Sequence, residues 1–188
     1  MCLKDFEIVT DEEMNDILYK FNDFNAKYPY NATLVSLFEE QVQKTPDNVA
    51  VVFKDTSLTY KELNDKANAL AHYMISYGVK KDTVVALRMP KSLEMVIGIL
   101  AIIKAGACYL PINLGYPEER VKYMVSDSGA KVLLFLNIAD DMPFDIPKID
   151  ISLSNNDIYM CDTSNCDIDI SPEDSLYIIY TSRFYWNA

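Results

Sequence analysis

Few side chains in this sequence can do chemistry, and their spacing sorts them. Cys2, Cys108, Cys161 and Cys166, with the single histidine His72, are the soft ligands and nucleophiles. A zinc site usually needs two close pairs of thiolate or imidazole ligands. No CxxC pair occurs, and Cys161 and Cys166 lie in a polar, acidic stretch with no histidine near them in sequence. The pattern is that of ordinary reduced thiols. His72 falls inside a helical pattern and reads as a partly exposed helix residue. Glu118-Glu119 and Asp140-Asp141 are adjacent acids. Glycosidase-type chemistry needs two carboxyl groups flanking one bond, whereas neighbours at a helix start or in a loop are ordinary solvated surface.

The elements that would position these residues can be read from periodicity and punctuation. Residues 10 to 22 look helical: Thr10 can cap, acids fill the first turn, and Met14, Ile17, Leu18 and Phe21 share a face. Residues 22 to 30 read as a linker and as the domain boundary. A second helix spans about residues 33 to 44, with Pro46 beyond it. Residues 49 to 53 and 57 to 60 read as a small hairpin. Thr59 and Glu62 form a capping-box pattern ahead of a long helix that Gly78 stops. Its expected buried face is Leu63, Ala67, Leu70, Ala71 and Met74.

Beyond it, strands at 83 to 89, 108 to 112 and 131 to 136 alternate with helices at 92 to 104 and 117 to 127. Pro117 is expected at the first helical position of the latter. The alternation predicts a mainly parallel sheet with helices against it. Residues 137 to 174 are rich in Asp, Asn and Pro and read as surface loop, with one strand within 144 to 151. A last strand is expected at 175 to 180.

Composition narrows the class. The chain has 188 residues, half of them hydrophobic, which is room for one domain with a real core, or a domain plus a tail. Seventeen basic residues against 28 acidic ones give a net charge of -11. That balance disfavours nucleic acid and anionic membrane surfaces as partners. No stretch reaches the roughly 20 apolar residues of a membrane span, and Asp5 and Glu7 break any secretory-signal pattern. The expected compartment is the cytoplasm. Lysine far outnumbers arginine, and Asn, Ile and Tyr are common. This is the usage of an AT-rich bacterial genome.

Three segments together carry a resemblance. They are Leu58-Thr59-Tyr60-Lys61-Glu62-Leu63-Asn64; the run from Ile103-Lys104-Ala105-Gly106 through Tyr109-Leu110-Pro111-Ile112-Asn113 to Tyr116-Pro117-Glu118-Glu119-Arg120; and Leu176-Tyr177-Ile178-Ile179-Tyr180-Thr181-Ser182. In that order they resemble the amino-acid adenylation domains of nonribosomal peptide synthetases, members of the adenylate-forming superfamily with acyl-CoA synthetases and luciferases. The resemblance implies an α/β fold. It would be the N-terminal, incomplete portion of the large subdomain, a mainly parallel sheet with flanking helices. Residues 1–30 resemble the end of a condensation domain and its connection, and 31–182 the front of an adenylation domain. Where the family has Asp and Pro, this chain has Asn113 and Leu114, which is expected to loosen the turn.

In the family, the Tyr-Thr-Ser strand end leads into a loop rich in Gly, Ser and Thr, then Pro-Lys-Gly. Glycines let backbone N–H groups approach a phosphate, and hydroxyls add donors. Thr181 and Ser182 match the start of that loop. Arg183-Phe184-Tyr185-Trp186 does not continue it, because it has no glycine and bulky aromatics block close approach. A one-base shift offers an explanation. If Arg183 is read as AGG, followed by UUC, UAC, UGG, AAU and GCN, skipping the first base gives Gly-Ser-Thr-Gly-Met. Residues 183–188 are therefore expected to be an aberrant tail from a frameshift in the gene or its record.

By resemblance, a complete domain binds an amino acid and ATP with magnesium. It forms the aminoacyl-adenylate and pyrophosphate, then passes the aminoacyl group to a carrier-protein thiol. Its specificity pocket, adenine and ribose contacts, magnesium-binding acid and mobile lysine belong to segments after the Ser182 position. The isolated chain is expected to have no catalytic residues, no metal ligands and no cofactor of its own, and to be inactive. Its stability is expected to be marginal. The competing expectation is a non-catalytic module that docks onto neighbouring synthetase domains.

Overall fold

The computed structural model describes residues 9–23, 29–137 and 145–181. The chain divides into two compact units, Met1–Tyr30 and Asn31–Ala188. In the first unit, α1 (Asp11–Asn15) starts at Thr10 with a full capping box: Thr10 accepts from the Glu13 N–H, and the Glu13 carboxylate returns to Thr10. The expected single helix then widens into a π-helical turn, Asp16–Lys20. The Asn22 side-chain amide takes the Ile17 carbonyl at 2.6 Å. In an α-helix that carbonyl would receive the Phe21 N–H. The Phe21 N–H instead donates one residue further back, to Asp16 O at 2.8 Å. Met14, Ile17, Leu18 and Phe21 are all exposed.

The second unit opens with α2 (Leu34–Lys44), capped by Thr33, and an antiparallel hairpin of β1 (Val49–Phe53) and β2 (Thr56–Thr59). Thr59 caps α3 (Tyr60–Ser76) with Glu62, as the spacing predicts. The five residues expected on its inner face are all buried. Four strands follow: β3 (Val84–Arg88), β4 (Cys108–Pro111), β5 (Val132–Phe135) and β6 (Lys148–Asp150). They form one sheet in the order β4-β3-β5-β6, and every pairing is parallel. The crossovers are α4 (Leu93–Lys104) and α5 (Glu118–Asp127); the short α6 (Asn156–Tyr159) comes after the sheet.

Strand alternation sorts the core between two faces. Val85, Leu87, Val132 and Leu134 pack with Leu70, Ile97, Ala101 and Ile102 of α3 and α4. Ala86, Leu110 and Leu133 pack with Val121, Met124 and Val125 of α5. Full burial of each large aliphatic side chain is worth about 1.5–3 kcal/mol. This is the α/β architecture expected from the sequence: a parallel sheet with helices against both faces.

The crossover helices stop by one device. At the end of α4, the Gly106 N–H donates to Ile103 O at 2.9 Å and the Ala107 N–H to Ile102 O at 3.0 Å. Both bonds require Gly106 at φ +70. A Cβ there would meet Ile168 Cγ2 at 2.9 Å. Gly78 and Gly129 close α3 and α5 with the same bond pair.

Several local expectations need correction. Pro117 stands at the N-cap of α5, with ψ 146, rather than at the first helical position. Its extended ψ turns the chain into the helix, and it lacks an N–H that would need a partner there. The strand sought in 144–151 is only three residues long. The strand expected at 175–180 is a single parallel bridge, Tyr109 to Tyr177. Two backbone bonds hold it, Tyr109 N–H to Leu176 O and Ile178 N–H to Tyr109 O.

Residues 145–174 are not plain surface loop. Ile151 and Ile158 are fully buried, and Asn68 on α3 donates to Thr163 O (2.8 Å) and Asn165 Oδ1 (2.9 Å). The strap lies across α3, held by polar groups that local composition reads as solvated.

Candidate functional site

Ligands of open parallel sheets bind outside the carboxyl ends of the strands. Here β3 runs out into Met89, Pro90 and Lys91, and β4 into Ile112 and the 113–116 turn. A cleft of about 450 Å³ opens there, lined by Leu87, Met89, Lys91, Asn113, Tyr116 and Tyr180 among others. The turn is not loosened by Asn113 and Leu114. The Asn113 side-chain oxygen accepts the Gly115 N–H at 2.8 Å, and the Tyr116 N–H returns to Asn113 O at 3.2 Å. Asparagine supplies the same acceptor that aspartate would. Arg88 Nη2 reaches Leu114 O at 3.4 Å, and the Arg120 guanidinium lies 4.1 Å from the Tyr116 ring centre.

The segment leading to the predicted hydroxyls passes one wall of this cleft. Tyr180 lines it, and its hydroxyl donates to Asp127 Oδ2 at 2.5 Å. Tyr123, one turn earlier on α5, meets the Tyr180 ring edge-on at 6.1 Å. Burial first, then the hydrogen bond to the Asp127 carboxylate, push the Tyr180 phenol up to about 12. It therefore stays a proton donor at neutral pH. Thr181 follows directly and is exposed. Ser182 and residues 183–188 lie outside the described residues.

The other sequence candidates stand elsewhere. His72 Nε2 is 3.0 Å from Ser164 O and 3.7 Å from Cys166 Sγ, so it belongs to the strap contact on α3. Burial raises the Cys166 thiol above its ordinary value, which keeps it protonated. Burial does the same to Cys108. Among the described residues, no group of three or more His, Cys, Asp or Glu side chains could hold a metal ion.

Sequence reasoning missed Tyr116, Tyr180 and Asp127 as parts of the site. The signal for Asp127 was available: a carboxylate in the last turn of a helix opposes the helix dipole. It also missed Lys104. That lysine is 1% exposed and forms an ion pair with Glu39 of α2.

The described residues do not by themselves fit a nucleotide. They line a largely apolar cleft that ends at Tyr180, next to the exposed Thr181, with no glycine cradle for a triphosphate and no acid cluster for magnesium among them. No helix among them is long and apolar enough to cross a membrane.

Comparison with known proteins gives this geometry a family. The family described as AMP-binding enzyme matches residues 38–182. Gramicidin S synthase 2 of Brevibacillus brevis is 42% identical over 181 residues, which is 96% of this chain and 4% of that protein. Bacitracin synthase 2 of Bacillus licheniformis is 44% identical over 181 residues, 96% of this chain and 7% of the relative. The chain thus spans a small fraction of the curated relatives it matches. Among solved structures, the nonribosomal peptide synthetase FmoA3 in its AMPPNP-bound form superposes with a TM-score of 0.77 at 29% identity, covering 85% of this chain and 17% of that one. The N-terminal subdomain of Klebsiella oxytoca NpsA gives 0.72 at 26% identity, covering 83% and 40%. From the sheet order, the strand-end cleft and these matches, the chain belongs to the AMP-binding enzyme family and corresponds to the N-terminal part of a nonribosomal peptide synthetase adenylation domain.

Proposed function

We propose that this chain is the front of an adenylation domain whose parent reaction activates an amino acid with ATP. The product is an aminoacyl-adenylate, from which the aminoacyl group passes to a carrier-protein thiol. The observation that carries this reading is the arrival of Ile179 and Tyr180, the residues just before Thr181, at the cleft beyond the carboxyl ends of β3 and β4. Thr181 and Ser182 would begin the phosphate loop. ATP and magnesium are cofactors of the parent domain; the amino acid, the carrier protein and adjoining synthetase domains are its partners. The compartment that fits this chemistry is the cytoplasm.

The 188-residue chain on its own is proposed to be inactive. Phosphoryl transfer depends on donors and cations placed around developing charge, and Arg183-Phe184-Tyr185-Trp186 offers no glycine for backbone approach. Two measurements test the reading. Amino-acid-dependent ATP–pyrophosphate exchange should be absent from the purified chain, and a signal would overturn the inactivity. Sequencing the DNA across the Ser182 and Arg183 codons should show Gly-Ser-Thr-Gly-Met-Pro-Lys-Gly in a neighbouring frame. If no frame continues that motif, the frameshift proposal is refuted.

A second reading is a docking module for neighbouring synthetase domains, favoured by the exposed row Met14, Ile17, Leu18 and Phe21. A docking module would be soluble and monodisperse alone. Self-association of the purified chain would count against it.

A further inference from the structure

We infer that Tyr123 and Asp127 on α5 form a positioning clamp that grips Tyr180 and so sets where Thr181, and the loop after it, begin. What the clamp serves rests on the adenylation reading above; the clamp itself does not.

Three observations converge on it. First, the backbone is released early. Among the described residues, the last backbone hydrogen bond of this segment is Ile178 N–H to Tyr109 O at 3.0 Å. Among the described residues, 179 to 181 have no ladder partner, so side chains are left to fix their course there. Second, the Tyr180 side chain has a polar anchor: its hydroxyl reaches Asp127 at 2.5 Å while its ring meets Tyr123 edge-on. Tyr123 and Asp127 are four residues apart on one helix, and so share a face. One helix face therefore holds both ends of one tyrosine.

Third, Asp127 is costly where it stands. It is the final residue of α5, where the helix's negative end disfavours a carboxylate, and no basic residue occupies that last turn. A residue that breaks a local rule is expected to gain elsewhere. The Tyr180 hydroxyl supplies that gain, because a donor shared with a carboxylate is a strong hydrogen bond. Tyr180 remains protonated at neutral pH, so the bond is present under working conditions.

The clamp also links the cleft to the loop entry. Tyr116, just before α5, lines the same cleft as Tyr180. Asp127 and Tyr123 are thus positioning residues, acting through Tyr180 rather than on a substrate.

The test uses the 188-residue chain and ¹⁵N relaxation. In the unmutated chain, the Tyr180 and Thr181 amides should have order parameters of about 0.85, and in Asp127→Ala and Tyr180→Phe these should fall below about 0.6. Asp127→Asn retains an acceptor and should restore most of the order. The double variant Asp127→Ala/Tyr180→Phe should lose no more than either single one, since both remove the same bond. A phenol titration gives a signature that a general structural role would not move: the Tyr180 midpoint, about 12, should fall in Asp127→Ala. Unchanged order at Tyr180 and Thr181 in Asp127→Ala overturns the clamp. So does a full Asp127→Ala effect in the Tyr180→Phe background. Either result leaves the adenylation reading standing, and absence of the loop motif from every reading frame would count against that reading without touching the clamp.

Discussion

Replacing Glu39 with Ala isolates the most consequential charge in the core. Lys104 lies at the end of α4 with its side chain 1% exposed, and its ammonium is paired with the Glu39 carboxylate, whose side chain is 21% exposed. The ammonium also lies 5.9 Å from the Phe38 ring centre. Two unit charges about 4 Å apart attract by about 4 kcal/mol at an effective dielectric near 20. Removing one partner of a fully buried pair costs about 3–5 kcal/mol, because the other charge is left in a poor solvent. Glu39 keeps some water contact, so the expected loss is about 2–4 kcal/mol. Lys104→Met should cost less, about 1 kcal/mol, since the orphaned carboxylate can hydrate while methionine keeps the packing volume. For a chain of this size, the Glu39→Ala loss corresponds to a fall of about 4–16 °C in Tm. The assay is urea and thermal unfolding followed by helix circular dichroism, with unchanged slope as the control for two-state behaviour. Equal losses in the two variants, or a larger one in Lys104→Met, would refute the argument that exposure decides which charge is costly to strand.

Gly106→Ala and Gly78→Ala separate backbone strain from contact. Both positions hold positive φ, which costs an alanine about 1–2 kcal/mol, but only Gly106 has a neighbour at 2.9 Å, whereas nothing lies within 4 Å at Gly78. Urea unfolding should therefore rank Gly106→Ala clearly lower; equal losses would remove the Ile168 contact from the account. The Glu62 carboxyl is held below its ordinary 4.5 by the Thr59 backbone N–H and then its hydroxyl. A lowered folded value means the native state binds fewer protons, so this contribution is complete above 4.5 and lost as pH falls through the folded value. Glu62→Gln, which removes the titrating group, should flatten the acid limb of the stability–pH curve, and an unchanged limb would refute the link. Burial raises the Cys108 and Cys166 thiols, so at neutral pH both should alkylate more slowly than a free thiol. Peptide mass mapping after timed iodoacetamide reads this directly, and fast labelling of either would contradict its burial.

Most of the sheet was readable because its signals are local. Thr10 and Thr59 announce helices through their own side chains and make the expected cap bonds, and the structure adds the same bond at Thr33 and Ser92. Gly78, Gly106 and Gly129 announce their ends. Where the structure departs from the reading, a distant partner decides. The stretch 175–180 has strand composition, yet among the described residues it pairs at Tyr177 alone, with Tyr109 of β4. The 145–174 strap is polar in sequence, but its polarity is spent on Asn64, Asn68 and His72, about 90 to 100 residues earlier. Lys104 reads as a helix-ending charge, although its spacing from Ile97 and Ala101 puts it on the buried stripe. At the cleft, Thr181 was legible as a strand-end hydroxyl. The Tyr180–Asp127 bond was not, because 53 residues separate its partners.

The strap across α3 fixes an order of assembly. Its contacts reach back over about half the chain, so their loop-closure entropy must be met before any of them is rewarding. Hairpin, helices and the first three sheet strands close over shorter distances and can form without it. The strap then docks late, and the segment after it brings Ile179 and Tyr180 to the cleft only when the layer beneath is already in place. Emerging from a ribosome, the segment that ends at Thr181 would thus be ordered last. It would also be the first to detach under mild denaturant, so that loss of the site precedes loss of the sheet.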